Sequence, residues 1–112
     1  MVERLVRDQE VVRSSRTAPT FFMKKQAHVF YSGRVQGVGF RFTAAESARE
    51  LAVTGWAKNL KDGRVELLAE AEEDTLKEFL SRIYQYFSQY IQDTDIQWQP
   101  ASGEFKDFGI EF

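Results

Sequence analysis

Nine consecutive residues, Gly33-Arg34-Val35-Gln36-Gly37-Val38-Gly39-Phe40-Arg41, carry the residue types that a phosphate site needs. The glycines let the chain bend until successive N–H groups converge on one point. A helix-like stretch follows, so the run ends at the positive end of a helix dipole, where an anion is favoured. Arg41 adds a planar cation able to make paired hydrogen bonds to phosphate oxygens. The expected ligands are the amides of Gln36, Gly37, Val38, Gly39, Phe40 and Arg41. A glycine-rich turn beside a solvated arginine has the same composition. The position between a strand and a helix favours the anion site. Asn59 is a second candidate. Its carboxamide donates and accepts, so it can hold a water in one orientation. Asparagine is also common in turns, and spacing alone favours the turn.

The rest of the inventory narrows the chemistry. Of 112 residues none is cysteine, which removes thiolate nucleophiles, disulfides and zinc–thiolate sites. With His28 the only histidine, a multi-histidine metal site is excluded. The formal net charge of −2 gives no general attraction to nucleic acid or to an anionic membrane. No apolar run approaches the ~20 residues of a membrane span, and the cytoplasm is the expected compartment.

Hydrophobic spacing predicts the elements that hold these residues. Gln26 to Ser32, with Val29, Phe30 and Tyr31, has strand propensity. Phe42 to Ala52 places Phe42, Ala45, Ala48 and Leu51 on one helical face. Val53 to Asn59 predicts a short strand, Leu60-Lys61-Asp62-Gly63 a turn, and Arg64 to Glu70 the partner strand. Leu76, Phe79, Leu80, Ile83, Tyr84 and Phe87 recur at helical intervals, with Asp74 as the expected N-cap. Their aromatic content reads as core packing rather than a ligand stripe. Ile96-Gln97-Trp98 predicts a short strand before Pro100. Phe105 to Phe112 predicts a closing one, with Phe108, Ile110 and Phe112 alternating. The order is β-α-β-β-α-β with one extra short strand: an α+β, ferredoxin-like sandwich whose antiparallel sheet carries two helices on one face.

Residues 1–24 follow no such pattern and are expected to form a flexible N-terminal extension to a domain over residues 25–112. Their arginines (Arg4, Arg7, Arg13, Arg16) invite comparison with a transit peptide. Glu3, Asp8 and Glu10 argue against one. Met23-Lys24-Lys25 has the composition of a bacterial translation start, which would place residues 1–22 upstream of the native chain.

Two long stretches together resemble the signature motifs of the acylphosphatases: the nine-residue glycine run, and Gly55-Trp56-Ala57-Lys58-Asn59 with Gly63 and Val65. Gly103-Glu104-Phe105-Lys106-Asp107-Phe108-Gly109-Ile110 is similar to that family's closing strand. The resemblance spans about residues 26–112. It implies hydrolysis of the carboxyl–phosphate bond of a small-molecule acyl phosphate. It implies that the loop amides and Arg41 bind the phosphoryl group and that Asn59 positions the attacking water. It also implies no metal, no cofactor and no covalent phosphoenzyme. One departure is Ala71, where the family usually has glycine; a local backbone adjustment is expected there. No partner is demanded, so a monomer is expected.

Two other readings share these residues. RNA-recognition domains have the same topology, and Gly37-Val38-Gly39-Phe40-Arg41-Phe42 faintly resembles their glycine–aromatic motif. That motif belongs on a central strand, whereas this one lies between a strand and a helix. A non-catalytic anion-binding module is the other. His28 reads as a sheet residue, Glu72 and Glu73 as helix-start charges, and Arg34 and Lys58 as solvated.

Overall fold

Alternation along the strands decides which side of the sheet is covered. In β1 (Lys24–Gly33), Ala27, Val29 and Tyr31 are buried, and in β3 (Val65–Glu72) Val65, Leu67, Ala69 and Ala71 are buried. The antiparallel register sets Val29 against Leu67 and Ala27 against Ala69, so these side chains share one face. Helices α1 (Phe40–Leu51) and α2 (Glu73–Phe87) cover that face. Strands β2 (Thr54–Asn59), β4 (Ile91–Pro100) and β5 (Phe108–Glu111) complete a five-stranded sheet in the order β4-β1-β3-β2-β5. This computed structural model describes residues 24–112. The expectation of a flexible extension lies outside the described residues, except that Lys24 already belongs to β1.

The fold is the α+β, ferredoxin-like sandwich, with one feature that alternation does not reveal. β5 pairs with β2 in parallel, so the sheet is mixed rather than wholly antiparallel. β1 and β2 each run antiparallel to β3 and therefore parallel to one another. The C-terminal ends of β1, β2 and β5 consequently meet at one end of the sheet. The loop leaving β1, the start of α1 and Asn59 are all at that end.

Several boundaries moved for physical reasons. α1 begins at Phe40, not Phe42, because Gly39 adopts left-handed φ 82 and serves as the N-cap. α2 has Glu72 at its N-cap rather than Asp74. β3 runs straight into the helix, and Glu73 and Asp74 occupy the first turn, where the dipole favours them. β4 extends over ten residues, well beyond Ile96–Trp98. Its Gln and Asp residues have little strand propensity, and the β1 ladder holds them extended. Ala71 sits in a regular ladder opposite Lys25, and no backbone adjustment marks it.

β5 depends on a polar latch. The buried Glu70 carboxylate accepts hydrogen bonds from Gln26 Nε2 (2.6 Å), Ser102 N (2.8 Å), Ser102 Oγ (2.8 Å) and Gly103 N (3.0 Å). Gln99 in turn donates to Gln26. The segment joining β4 to β5 is thus fastened to the middle of the sheet. Burial alone would raise the Glu70 pKa, but the bonds from Ser102, Gln26 and Gly103 outweigh it and hold the group below its ordinary range. A carboxyl with a lowered folded-state pKa stabilises the fold above its unfolded pKa. That contribution disappears as pH falls through the lowered value. In urea titrations, Glu70→Gln is expected to cost about 2 kcal/mol at neutral pH. The gap from wild type should close as pH falls below the ordinary glutamate range, where the folded protein's Glu70 finally takes up its proton. A gap that stays constant with pH would assign the loss to shape rather than charge.

Candidate anion-binding active site

The site begins with backbone groups that the fold leaves unpaired. The first intrahelical bond of α1 runs from Thr43 N to Gly39 O (3.0 Å), and no side chain caps the helix. The N–H groups of Phe40, Arg41 and Phe42 therefore have no hydrogen-bond acceptor among the described residues. Two buried side chains hold this segment in place. Val35 is fully buried before the bend. Phe40 is buried after it, with its ring 4.7 Å from Phe87 and 4.8 Å from Tyr31. Burying each is worth about 1.5–3 kcal/mol, comparable to the roughly 1–2 kcal/mol needed to order each loop residue. At the loop's entry, a side chain on Gly33 would collide with the Tyr90 carbonyl, so β1 can approach the start of β4 only without one. Arg34 N closes that approach with a bond to Tyr90 O (2.9 Å).

Gly37, Gly39, Phe40 and Arg41 line a hollow of about 190 Å³. Asn59 closes it from β2, and Val35, Phe42, Ile110 and Phe112 form the remaining wall. Asn59 is opposite Val65 in the ladder, which puts its side chain on the helix-covered face and toward the start of α1. Its carboxamide makes no hydrogen bond to another described residue. Arg41 is oriented by β5: Nη1 donates to Glu111 O (3.0 Å), and the guanidinium carbon lies 5.0 Å from the Phe112 ring centroid. A guanidinium has five N–H donors, so one bond leaves most of them for a ligand. The arrangement offers backbone donors, one fixed cation and a neutral group that can hold a water.

The nine-residue run is divided by the fold. Gly37, Gly39, Phe40 and Arg41 reach the hollow, and Gln36 and Val38 are not part of its lining. Val38 packs against the core. Gln36 instead spans to the β2–β3 turn: its Nε2 donates to Leu60 O (2.7 Å) and Arg64 O (2.9 Å). This side chain ties the glycine loop to the residue that follows Asn59. The turn is closed by Leu60 N to Arg64 O (2.8 Å), and Asp62 accepts from Arg64 N (3.1 Å) and Nε (2.9 Å). Those bonds, chiefly the one from the Arg64 backbone, hold the Asp62 pKa below its ordinary value. Arg34 and Lys58 are exposed and outside the lining. His28 lies on the sheet face opposite the helices, with Nε2 2.7 Å from Glu66 Oε2. The segment from Gly37 to Phe42 connects β1 to α1 and contributes nothing to a central strand, unlike the RNA-recognition motif.

Spacing did not point to Ile110, Glu111 and Phe112 as neighbours of Arg41. Their alternation marks a half-buried strand, but periodicity does not say which strand it pairs with. Gln36 is a polar residue in the loop, and spacing does not reveal that its side chain reaches Leu60 O and Arg64 O.

A mixed five-stranded sheet under two helices, with uncapped helix-start amides and one arginine at the β1–α1 junction, defines a small α+β domain with a candidate anion site. Comparison with known proteins assigns it more narrowly. The sequence profile of the acylphosphatase family matches residues 27–110. The chain is 44% identical over 86 residues to an acylphosphatase of Roseiflexus sp. (strain RS-1), covering 76% of this chain and 92% of that protein. It is 40% identical over 88 residues to one from Methylococcus capsulatus, covering 77% and 95%. The crystal structure of acylphosphatase from Bacillus subtilis superposes with a TM-score of 0.73 at 34% identity, over 79% of this chain and 99% of that one. The chain belongs to the acylphosphatase family of enzymes. Among the described residues no helix is long and apolar enough to cross a membrane.

The Gln36 strut has a measurable consequence. Gln36→Ala is expected to lower stability by about 1–2 kcal/mol in urea unfolding, from two lost hydrogen bonds. It should also reduce turnover of an acyl phosphate more than it weakens inhibition by inorganic phosphate, because the loop and Asn59 lose their fixed spacing. Unchanged stability and turnover would show that the strut positions nothing.

Proposed function

We propose that this chain hydrolyses the carboxyl–phosphate bond of acyl phosphates, with the phosphoryl group held by the glycine loop and Arg41 and the attacking water oriented by Asn59. The observation that carries this reading is the meeting of unpaired α1 amides, the Arg41 guanidinium and an unengaged carboxamide at one small hollow. Each group is suited to one part of the reaction.

The phosphoryl oxygens accept from the loop and helix-start amides and from Arg41, which neutralise charge as the bond to the leaving oxygen lengthens. Water oriented by Asn59 attacks phosphorus in line with that bond. The water oxygen–phosphorus bond forms, the phosphorus–oxygen bond to the acyl group breaks, and its electron pair leaves on a carboxylate. A neutral carboxamide cannot take up the water proton, which passes to a phosphoryl oxygen, giving carboxylate and dihydrogen phosphate. A carboxylate is a good leaving group, so positioning and charge stabilisation suffice without a strong base.

Two substitutions separate binding from positioning. Arg41→Ala should remove acyl phosphate turnover and competitive inhibition by inorganic phosphate together. Asn59→Ala should leave phosphate inhibition largely intact and lower kcat by ~10²–10³, the scale of a lost transition-state hydrogen bond. Steady-state hydrolysis of benzoyl phosphate with phosphate as inhibitor measures both. Wild-type turnover in the Asn59 variant would remove the water-orienting role. Retained phosphate inhibition in the Arg41 variant would remove the binding one.

A further inference from the structure

β4 ends the sheet, and among the described residues it pairs only with β1, from Gly33 opposite Ile91 to Lys25 opposite Pro100. Every second residue of such a strand turns its N–H and C=O away from its one neighbour, which leaves a row of open backbone groups. Proteins ordinarily blunt an edge of this kind with lysine, proline or a bulge. β4 contains no lysine, its proline is the last residue, and its one register shift lies at the Gly33 end. The two faces of the strand differ. Thr94, Ile96 and Trp98 are opposite Tyr31, Val29 and Ala27, so they lie on the helix side of the sheet. α2 packs over β1 and β3, and Ile96 and Trp98 stay 38% and 43% exposed. A groove of about 460 Å³ runs between α2 and β4, with Leu80, Tyr84, Ile96 and Trp98 in its lining. On the opposite face Asp93 and Asp95 are exposed, and neither forms an ion pair with another described residue.

We propose that the outer edge of β4 docks an extended segment of a partner protein in which apolar residues alternate with lysine or arginine. The apolar residues enter the groove against Tyr84, Ile96 and Trp98. The basic ones stand beside Asp93 and Asp95 on the other face.

The period of a strand dictates this pattern. Side chains of an added strand point alternately to the two faces, and those on one face recur about every 7 Å. Thr94 to Trp98 spans roughly 13 Å, enough for two apolar side chains two residues apart. Their burial would cover Ile96, Trp98 and the exposed Tyr84 ring. Backbone bonds to the edge hold any extended chain, and the groove and the acidic face select among them. Opposite charges on neighbouring strands attract and like charges repel, so the aspartates favour a basic segment. A second copy of β4 is a poorer occupant, because it brings two more aspartates and no lysine or arginine. Lys77 also lines the groove, but it is paired with Glu73 at 3.0 Å and leaves the acidic face unbalanced. None of these residues borders the hollow, so the docking surface stands apart from the hydrolytic reading.

The test titrates a fluorescent peptide of alternating valine and lysine, about the length of β4, into the full chain. Affinity is read by anisotropy, and amide exchange followed by NMR locates the contact. Binding should saturate and should slow exchange at alternate β4 amides. A scrambled peptide of the same composition, one with proline at its centre, and one with glutamate for lysine should each bind about tenfold more weakly or not at all. Trp98→Ala should weaken the valine–lysine peptide by about tenfold. The paired change Asp93→Asn with Asp95→Asn should do the same and remove most of the salt dependence. Glu46→Gln, an exposed acid on α1, is the control and should leave affinity unchanged. Equal binding of the scrambled or proline peptide would overturn the proposal, as would wild-type affinity in both the Trp98 and the paired aspartate variants. Slow exchange along the whole of β4 before peptide is added would also overturn it, because another part of this chain or a second copy would then already hold the edge.

Discussion

Three amides at the start of α1, on residues that line the hollow, have no partner among the described residues, and much of the surrounding architecture explains how they stay there. An uncapped helix start is ordinarily covered by a serine, threonine or aspartate side chain, which would fill this space. Here Gly39 takes the cap position with left-handed backbone and has no side chain to offer. The amides are left for a ligand, and the dipole adds to their pull on an anion. Keeping such a segment ordered requires anchors on both sides, which Val35 and the aromatic stack around Phe40 supply.

The remaining groups reach this point by separate routes. Arg41 is carried by α1 and aimed by the Glu111 carbonyl on β5, so a strand distant in sequence sets the direction of the cation. β5 in turn follows a segment latched by Glu70, a carboxylate in the interior of the sheet. Asn59 comes from β2 and is kept at a fixed distance from the glycine loop by the Gln36 carboxamide. Each connection joins elements that share no local sequence. Their common feature is the parallel sense of β1, β2 and β5, which delivers three strand ends to one edge of the molecule.

Local signals in the sequence were legible where local physics dominates. The helical spacing of Leu76, Phe79, Ile83 and Phe87 and the alternation of Val65, Leu67 and Ala69 are consequences of burial on one face, and both elements formed there, although Tyr84, at the same spacing, stays exposed. The strand–glycine–helix junction was visible for the same reason. The length of β4 was not, since an edge strand of Gln and Asp is specified by its partner rather than by its own residues. The parallel pairing of β5 was hidden because a period of two is the same in either orientation. The Gln36 strut was hidden because a side-chain bond to Leu60 and Arg64 depends on how the loop folds back. What spacing missed around the hollow came from pairing at long range.

The chemistry assigned to this geometry requires that solvent oxygen join phosphorus, not the acyl carbon. Hydrolysis of benzoyl phosphate in heavy-oxygen water, read by mass spectrometry of both products under single turnover, tests this most directly. Water aimed at a phosphoryl group held by the α1 amides and Arg41 places the label in inorganic phosphate and leaves benzoate unlabelled. Label in the benzoate carboxylate would mean attack at carbon and would contradict the assigned roles of the glycine loop, Arg41 and Asn59.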